Sequence, residues 1–369
     1  MNPKLWNGRR VLVTGHTGFM GGWLAERLIG LGAHVTGYAL PAPTEPNLFS
    51  ILHLASRMDN VIGDVRDADG LARVVKSSRA EVVFHLAAQP LVRRAHNEPV
   101  ETFSTNIMGT VNVLDAMRRS DAVAAAVIVT TDKVYDNREW SWGYRETDAL
   151  GGHEPYGVSK ACAELVVDAY VRAYFGAGGP AIATVRAGNI IGGGDWAENR
   201  LVPDAVRAFA AGEILRIRHP DAVRPWQHVL EPVGGMLELA EALDRDGQDC
   251  GGGWNFGPAE DDARTVAWIS DRLVSAWGGT AAWAAIPEAG PAEARLLTLS
   301  SAKARAELGW RCRWNAAEAI ELTARWYRAY YEGADVGDLT RQQINDHVKG
   351  EKSDELERKV PEERKRAFA

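Results

Sequence analysis

Residues 10–21 read RVLVTGHTGFMG, a run of five with an apolar centre that gives way to a glycine at every third position. A strand over 10–14 followed by Gly15, Gly18 and Gly21 has the parts of a phosphate-binding turn. The first glycine permits the tight turn, the second lets the backbone approach a pyrophosphate, and the third lets the next helix pack close to the strand. The helix that opens there, at about 20–31, aims backbone N–H groups and a positive dipole end at the same point. A GxxGxxG spacing alone is a modest signal. Its place directly after the first strand and at the head of the first helix makes it a dinucleotide-binding turn.

Further apolar strands are expected at 34–39, 81–86, 124–130 and 181–186, with helices near 67–77, 98–119 and 156–175 between them. Short continuous apolar strands alternating with amphipathic helices imply an α/β doubly wound parallel sheet, the Rossmann architecture, over residues 1–188. After Gly188 the alternation breaks at GGGDW (192–196), RPWQH (224–228) and GGGWNFGP (251–258). Helices resume near 200–211, 232–244, 265–277, 301–308 and 315–332. Residues 189–340 therefore read as a smaller C-terminal substrate-binding lobe at the carboxyl ends of the strands, interleaved with the first domain. Residues 341–369 read as a charged, solvated tail.

The bulk composition excludes several classes. A chain of 369 residues, 46% of them hydrophobic, can bury a large core. A net charge of −7 argues against nonspecific binding to nucleic acid or anionic membranes. No apolar run approaches the ~20 residues that span a bilayer, and the opening MNPKLWNGRR has no signal-peptide apolar region. Cys162, Cys250 and Cys312 lie far apart, without metal-ligand spacing. They read as reduced thiols of a cytoplasmic protein with no metal site.

The end of the second strand, Gly37-Tyr38-Ala39-Leu40-Pro41, carries no acid for a ribose 2′-hydroxyl, and no Arg or Lys lies between Tyr38 and Ser56 for a 2′-phosphate. The missing cation weighs more, because a buried phosphate cannot go unpaired, so the expected cofactor is NAD. Asp64, in IGDVRD, is placed to accept from the adenine amine.

Chemistry is expected where the fifth strand ends in Thr131-Asp132-Lys133 and where Tyr156 and Lys160 share one helix face. A lysine one turn from a tyrosine lowers the phenol pKa by its charge, so the phenolate can take a proton from an alcohol. With the dinucleotide turn and the Thr131 hydroxyl, this is a dehydrogenase constellation.

These motifs, together with HLAAQP (85–90) and TNIMGT (105–110), resemble the extended short-chain dehydrogenases that act on nucleotide sugars. GYALPAPTEPNLF, YDNREWSWGYRE, VRAGNIIGGGDWAENRLVPD, RPWQHVLEP and WNFGP are similar to the CDP-glucose branch of the 4,6-dehydratases, over about residues 8–332. The resemblance implies cofactor contacts at Thr17, Phe19, Met20, Val65, Leu86, Ala87, Ala88 and Asn106 as well as at the glycines. It implies substrate contacts at Gln89, Asn189, Arg200, Arg224, Gln227 and His228, and a homodimer built through a four-helix bundle from 98–119 and 156–175. Trp196, Trp226 and Trp254 are assigned to packing.

The implied reaction is loss of water from a CDP-hexose, a step of deoxysugar (O-antigen) synthesis. Tyr156 serves the oxidation at C4, Lys133 takes the C5 proton and Asp132 protonates the departing 6-hydroxyl. Relatives carry lysine at Met20, aspartate at Pro41 and cysteine at Val134, and the dTDP branch carries glutamate at Lys133. A dTDP-, UDP- or GDP-sugar dehydratase and a 4-epimerase or decarboxylase are the alternatives, with a non-catalytic NAD-binding regulator behind them.

Overall fold

The computed structural model describes residues 2–176, 178–286 and 294–349. Seven parallel strands form one sheet: β1 (Arg10–Thr14), β2 (His34–Ala39), β3 (Asp59–Ile62), β4 (Val82–His85), β5 (Ala125–Val129), β6 (Ala181–Ala187) and, after the short β7 (Asn189–Ile191) and β8 (Trp226–His228), β9 (Gly252–Phe256). Their order is β9-β6-β5-β4-β1-β2-β3. Chain reversal between β1 and β4 opens a crevice at the carboxyl ends of those strands, where ligands bind in such sheets.

Side-chain alternation along the strands builds two cores. Val11, Val13, Val82, Phe84, Ala125 and Val127 face one side, where they meet α1 (Phe19–Gly30). Leu12, Val83, Ala126, Ile128 and Ile182 face the other, against α2 (Ala68–Ser78), α3 (Gly109–Arg118) and α4 (Pro155–Tyr174). The first core continues into α5 (Leu201–Ala210), α6 (Leu230–Asp246), α7 (Val266–Trp277) and α8 (Ala316–Tyr331). Caps set the helix starts: Asp67 accepts the Gly70 N–H at 3.0 Å, and Asn315 with Glu318 forms a capping box. The N-terminus of α1 has no side-chain cap, which leaves its N–H groups to a ligand.

Two features depart from the sequence reading. The run 251–258 looked like an interruption, because glycines weaken a strand, yet β9 lies along β6 with Trp254 opposite Val185. Its glycines have a reason. A Cβ on Gly253 would sit 2.6 Å from the Arg186 guanidinium, which crosses that position. The charged tail does not begin at 341. Residues 336–349 are helical, and Thr340, Gln343, Ile344 and His347 form a buried i, i+3, i+4, i+7 stripe. His347 Nε2 lies 3.2 Å from Glu231, both fully buried. The remainder, 350–369, lies outside the described residues.

Candidate active site

The β1–α1 turn is shaped by contacts that a side chain would destroy. Gly15 has φ +79°, and a Cβ there would lie 2.7 Å from the Ala87 nitrogen; on Gly21 it would lie 2.1 Å from the Gly15 carbonyl. Gly18 meets only that same carbonyl, at 3.3 Å, so its outer side stays open. Thr17 fastens the turn to the end of β2 by donating to the Leu40 carbonyl at 2.9 Å. Phe19 and Met20 begin α1 and are partly buried against the first core. The cradle is thus bare backbone at a helix start, with space where a side chain would be, and it fits a dinucleotide pyrophosphate.

Leu86, Ala87 and Ala88 follow β4 along the floor of the crevice. A chain of buried hydroxyls and one imidazole holds them. The Thr14 hydroxyl accepts the N–H groups of Leu86 and Ala87, both at 3.2 Å, so its own proton goes to His85 Nδ1 at 2.7 Å. His85 Nε2 then donates to Thr110 at 3.2 Å, and Thr110 donates to the Asn106 carbonyl at 2.7 Å. Burial, with the charge of Lys160 second, holds His85 down at about 3, so the ring stays neutral. Val65 is buried against Gly109. Asp64 is fully engaged by Arg66, which donates through its backbone and guanidinium at 2.5–3.0 Å.

Asn106 occupies a π-helical turn, Ser104–Met108, a local irregularity that recurs at functional sites. Its side chain accepts from the Gln89 N–H at 2.8 Å and donates to Ser159 at 2.8 Å. It therefore ties the crevice floor to the helix of Tyr156 and Lys160.

The structure brings the five expected catalytic residues together. Thr131 caps the one-turn 3-10 helix Asp132–Val134, and its hydroxyl donates to Asp132 at 3.1 Å. Facing it, α4 starts on Glu154, whose carboxylate accepts the N–H groups of Tyr156 and Gly157 at 2.7 and 2.8 Å. The Asp132–Val134 turn can approach this closely because residue 157 is glycine: a Cβ there would meet the Lys133 carbonyl at 2.6 Å.

Electrostatics divide the roles. Asp132 is 2% exposed and its Oδ2 has no hydrogen-bond partner. Burial raises its pKa against the opposing pull of Lys133, Thr131 and Arg224, as a proton donor requires. Lys133 is half-buried beside it. Burial pushes the Tyr156 phenol up to about 12, opposed by the neighbouring Thr131 hydroxyl and the charge of Arg200. Thr131 and Arg200 are the leading groups that favour the phenolate. The Lys160 ammonium instead donates to the Val129 carbonyl at 2.9 Å.

The expected substrate residues separate into two groups. Arg200 pairs with Asp195 at 2.9 Å, and its half-exposed side chain acts on Tyr156. Arg224 donates to the Val223 and Ala294 carbonyls at 2.9 and 2.6 Å and acts on Asp132. Asn189 is half-buried at the start of β7. The other three are corrected to structural roles. Gln89 uses its amide on Thr102 and Leu91. Gln227 is fully buried and donates to the Phe256 carbonyl at 2.7 Å. His228 is fully buried between Trp23 and Trp314. Both sit on β8, which is buried at every position. Trp196, Trp226 and Trp254 are core side chains. Among the described residues, no cluster of His, Cys, Asp or Glu could hold a metal ion.

Reading the sequence missed the supports: Ser159 beneath Asn106, His85 beneath the glycine turn, and Glu164 with Arg186 beneath the end of β5. Glu164 carried one signal, its place four residues after Lys160 on the same helix face.

Comparison with known proteins places this geometry. Residues 11–257 match the model of the NAD dependent epimerase/dehydratase family. The chain is 46% identical to the CDP-glucose 4,6-dehydratase of Salmonella typhimurium, over 94% of this chain and 98% of that one. It is 29% identical to the dTDP-glucose 4,6-dehydratase of Streptomyces griseus, over 87% and 94% of the two chains. A UDP-glucose 4-epimerase from Stenotrophomonas maltophila, solved with NAD and a formylated UDP-arabinopyranose, shares the fold with a TM-score of 0.75 at 23% identity, covering 88% of this chain and all of that one.

Proposed function

The chain belongs to the NAD dependent epimerase/dehydratase family, and from that premise we propose that it is a hydro-lyase that converts CDP-D-glucose to CDP-4-dehydro-6-deoxy-D-glucose. The observation that carries the reading beyond simple oxidation is Asp132, a buried carboxyl with a raised pKa and an uncommitted Oδ2, set between Thr131 and Lys133. Oxidation at C4 needs no such group. Expulsion of a hydroxide at C6 does, because the leaving group must be protonated as it departs.

The Gly15, Gly18 and Gly21 backbone with the start of α1 would hold the NAD pyrophosphate, and Lys160 would hold its ribose. NAD, when bound, takes a hydride from the sugar and returns it. The chain's own groups do the proton work. Tyr156, polarised by the Thr131 hydroxyl and by Arg200, receives the 4-hydroxyl proton. The resulting 4-ketone acidifies C5–H, which Lys133 removes. Asp132 gives its proton to the 6-hydroxyl, which leaves as water, and Lys133 returns a proton to C5 as C6 regains a hydride. The half-exposed Arg200, with Asn189 and Arg224 also contributed by the lobe after β6, is the anchor for the substrate diphosphate, since a guanidinium fork suits that geometry. The choice of cytidine rests on the 46% identity to the Salmonella enzyme and on Lys133 in place of glutamate.

The test is a panel of CDP-, dTDP-, UDP- and GDP-glucose, followed by mass loss of water and by solvent deuterium at C5. Water loss fastest from CDP-glucose is expected. Loss from none of the four sinks the dehydratase reading, and C4 inversion without C5 exchange would make the protein an epimerase.

Pairing of two copies through the 98–119 segment and α4 is supported by the exposed apolar side chains Val100, Met108 and Leu165 on those helices. Light scattering should give twice the chain mass for the native protein and the single mass for Leu165→Glu. The three unpaired thiols support a cytoplasmic setting. Among the described residues, no helix is long and apolar enough to cross a membrane.

A further inference from the structure

Beneath the catalytic strand end lies a carboxylate that the proposed chemistry does not use. Glu164 is one helical turn beyond Lys160 on α4, and the two side chains bind successive residues of the same strand end. Lys160 donates to the Val129 carbonyl at 2.9 Å, while the Thr130 hydroxyl donates to Glu164 Oε1 at 2.5 Å. Thr184 occupies the other oxygen at 2.6 Å, and the Arg186 guanidinium grips both oxygens at 2.9 Å. The grip continues outward: Arg186 also donates to the Tyr135 hydroxyl at 2.9 Å, and Tyr135 donates to Asn255 on β9 at 2.8 Å. All these side chains are nearly inaccessible to water.

A buried ion pair is a poor device for stability alone, because apolar groups of similar volume serve as well or better. Its orientation suggests another use. The carboxylate is turned from α4 toward the end of β5, where Lys160 is anchored; Arg186 grips it from β6 and reaches on to Tyr135, which in turn binds Asn255. We infer that Glu164 is a positioning residue: held by Arg186, Thr130 and Thr184, it keeps the buried Lys160 in its charged form and fixes the strand end that carries Thr131. The inference rests on the reading of Lys160 as a catalytic residue.

The surroundings of Lys160 agree with this. Its ammonium donates to the Val129 carbonyl at the end of β5, and the titratable groups it acts with are Glu164 on the same helix and the neutral His85 on β4. Burial draws the ammonium down to about 8, and Glu164 opposes that draw. Without the carboxylate a large share of the lysine would be neutral at physiological pH.

The test reads Lys160 directly in the cofactor-free protein, by NMR titration of protein labelled with [13Cε]lysine. The resonance is assigned by its loss in Lys160→Met. Glu164→Gln is expected to move the Lys160 midpoint at least about one pH unit toward acid, the effect of removing a charge at this spacing in a partly shielded interior. Since Glu164→Gln leaves Arg186 without its anion, Glu164→Gln/Arg186→Gln provides the same reading in a neutral network. Thr184→Val removes a donor to the carboxylate but keeps its charge, and should leave the midpoint in place. An unchanged midpoint in the double variant overturns the inference, as does an equal displacement by Thr184→Val. Water loss by the native protein is scored separately; its absence would sink the dehydratase reading and leave the titration result standing.

Discussion

Asp132→Asn separates the two halves of the proposed reaction, and the structure sets both the size and the sign of its effects. Asparagine keeps the shape, and its oxygen can still accept from Thr131. It places an amide nitrogen where Oδ2 now lies without a partner, so one unpartnered polar atom replaces another. What disappears is the proton. With Asp132 2% exposed, water cannot readily replace it, so the loss should span the range for general acids, about 10²–10⁴ in turnover, or about 2.7–5.5 kcal/mol of barrier. Oxidation at C4 and exchange at C5 should survive, so reduced nicotinamide accumulates on mixing with substrate while the mass loss of water is delayed.

Stability should move the other way. Burial raises the Asp132 pKa in the fold, so the native state keeps this proton where the unfolded chain releases it. Stability is therefore lost as pH rises from the unfolded value through the raised one, and above that window the full cost of a buried carboxylate is present. Asparagine carries no such cost, so Tm should be higher than native at pH 7 to 8, with the gap closing toward pH 3.5. Water loss within threefold of native, or a Tm difference that ignores pH, would refute the reasoning.

Lys133→Ala should permit C4 oxidation but stop solvent deuterium from entering C5; exchange at the native rate would remove this lysine from its role. Gly21→Ala drives a Cβ to 2.1 Å from the Gly15 carbonyl, a contact only backbone movement relieves, so calorimetry should show NAD affinity at least about tenfold weaker with the circular dichroism of a folded protein. Lys160→Met should raise Tm at pH 7. Because the native lysine sits at about 8 in the fold against an ordinary 10.5, the native protein regains stability from pH 8 to 10.5, and the variant's advantage should shrink over that interval.

Elements with a strong local pattern were legible in the sequence. RVLVT followed by spaced glycines admits few structures, and YxxxK declares its geometry through helical periodicity alone. Long-range polar pairing was not legible. Arg186 looks like an ordinary strand residue, and its partner lies 22 positions away on another element. Gln227 and His228 misled for the opposite reason. Polar residues in a glycine- and tryptophan-rich stretch suggest a binding loop, yet β8 is packed beneath α6 and α8, where Gln227 serves a backbone carbonyl and His228 fills space between rings. The helix at 336–349 was hidden because three of its four inward residues, Thr340, Gln343 and His347, are polar and leave no apolar periodicity to read.

The seventh strand has a consequence for how the protein is made. Synthesis proceeds from the N-terminus, so β6 must wait more than sixty residues of further translation before β9 can pair with it. During that interval the nascent chain carries an open apolar sheet edge, the kind that seeks strands from other chains. The Asn255 link to Tyr135 also waits until then, so the catalytic loop acquires its last anchor only after the intervening lobe has been synthesised. A fragment ending near residue 190 should aggregate, and the two lobes should resist exchange with those of relatives as independent cassettes.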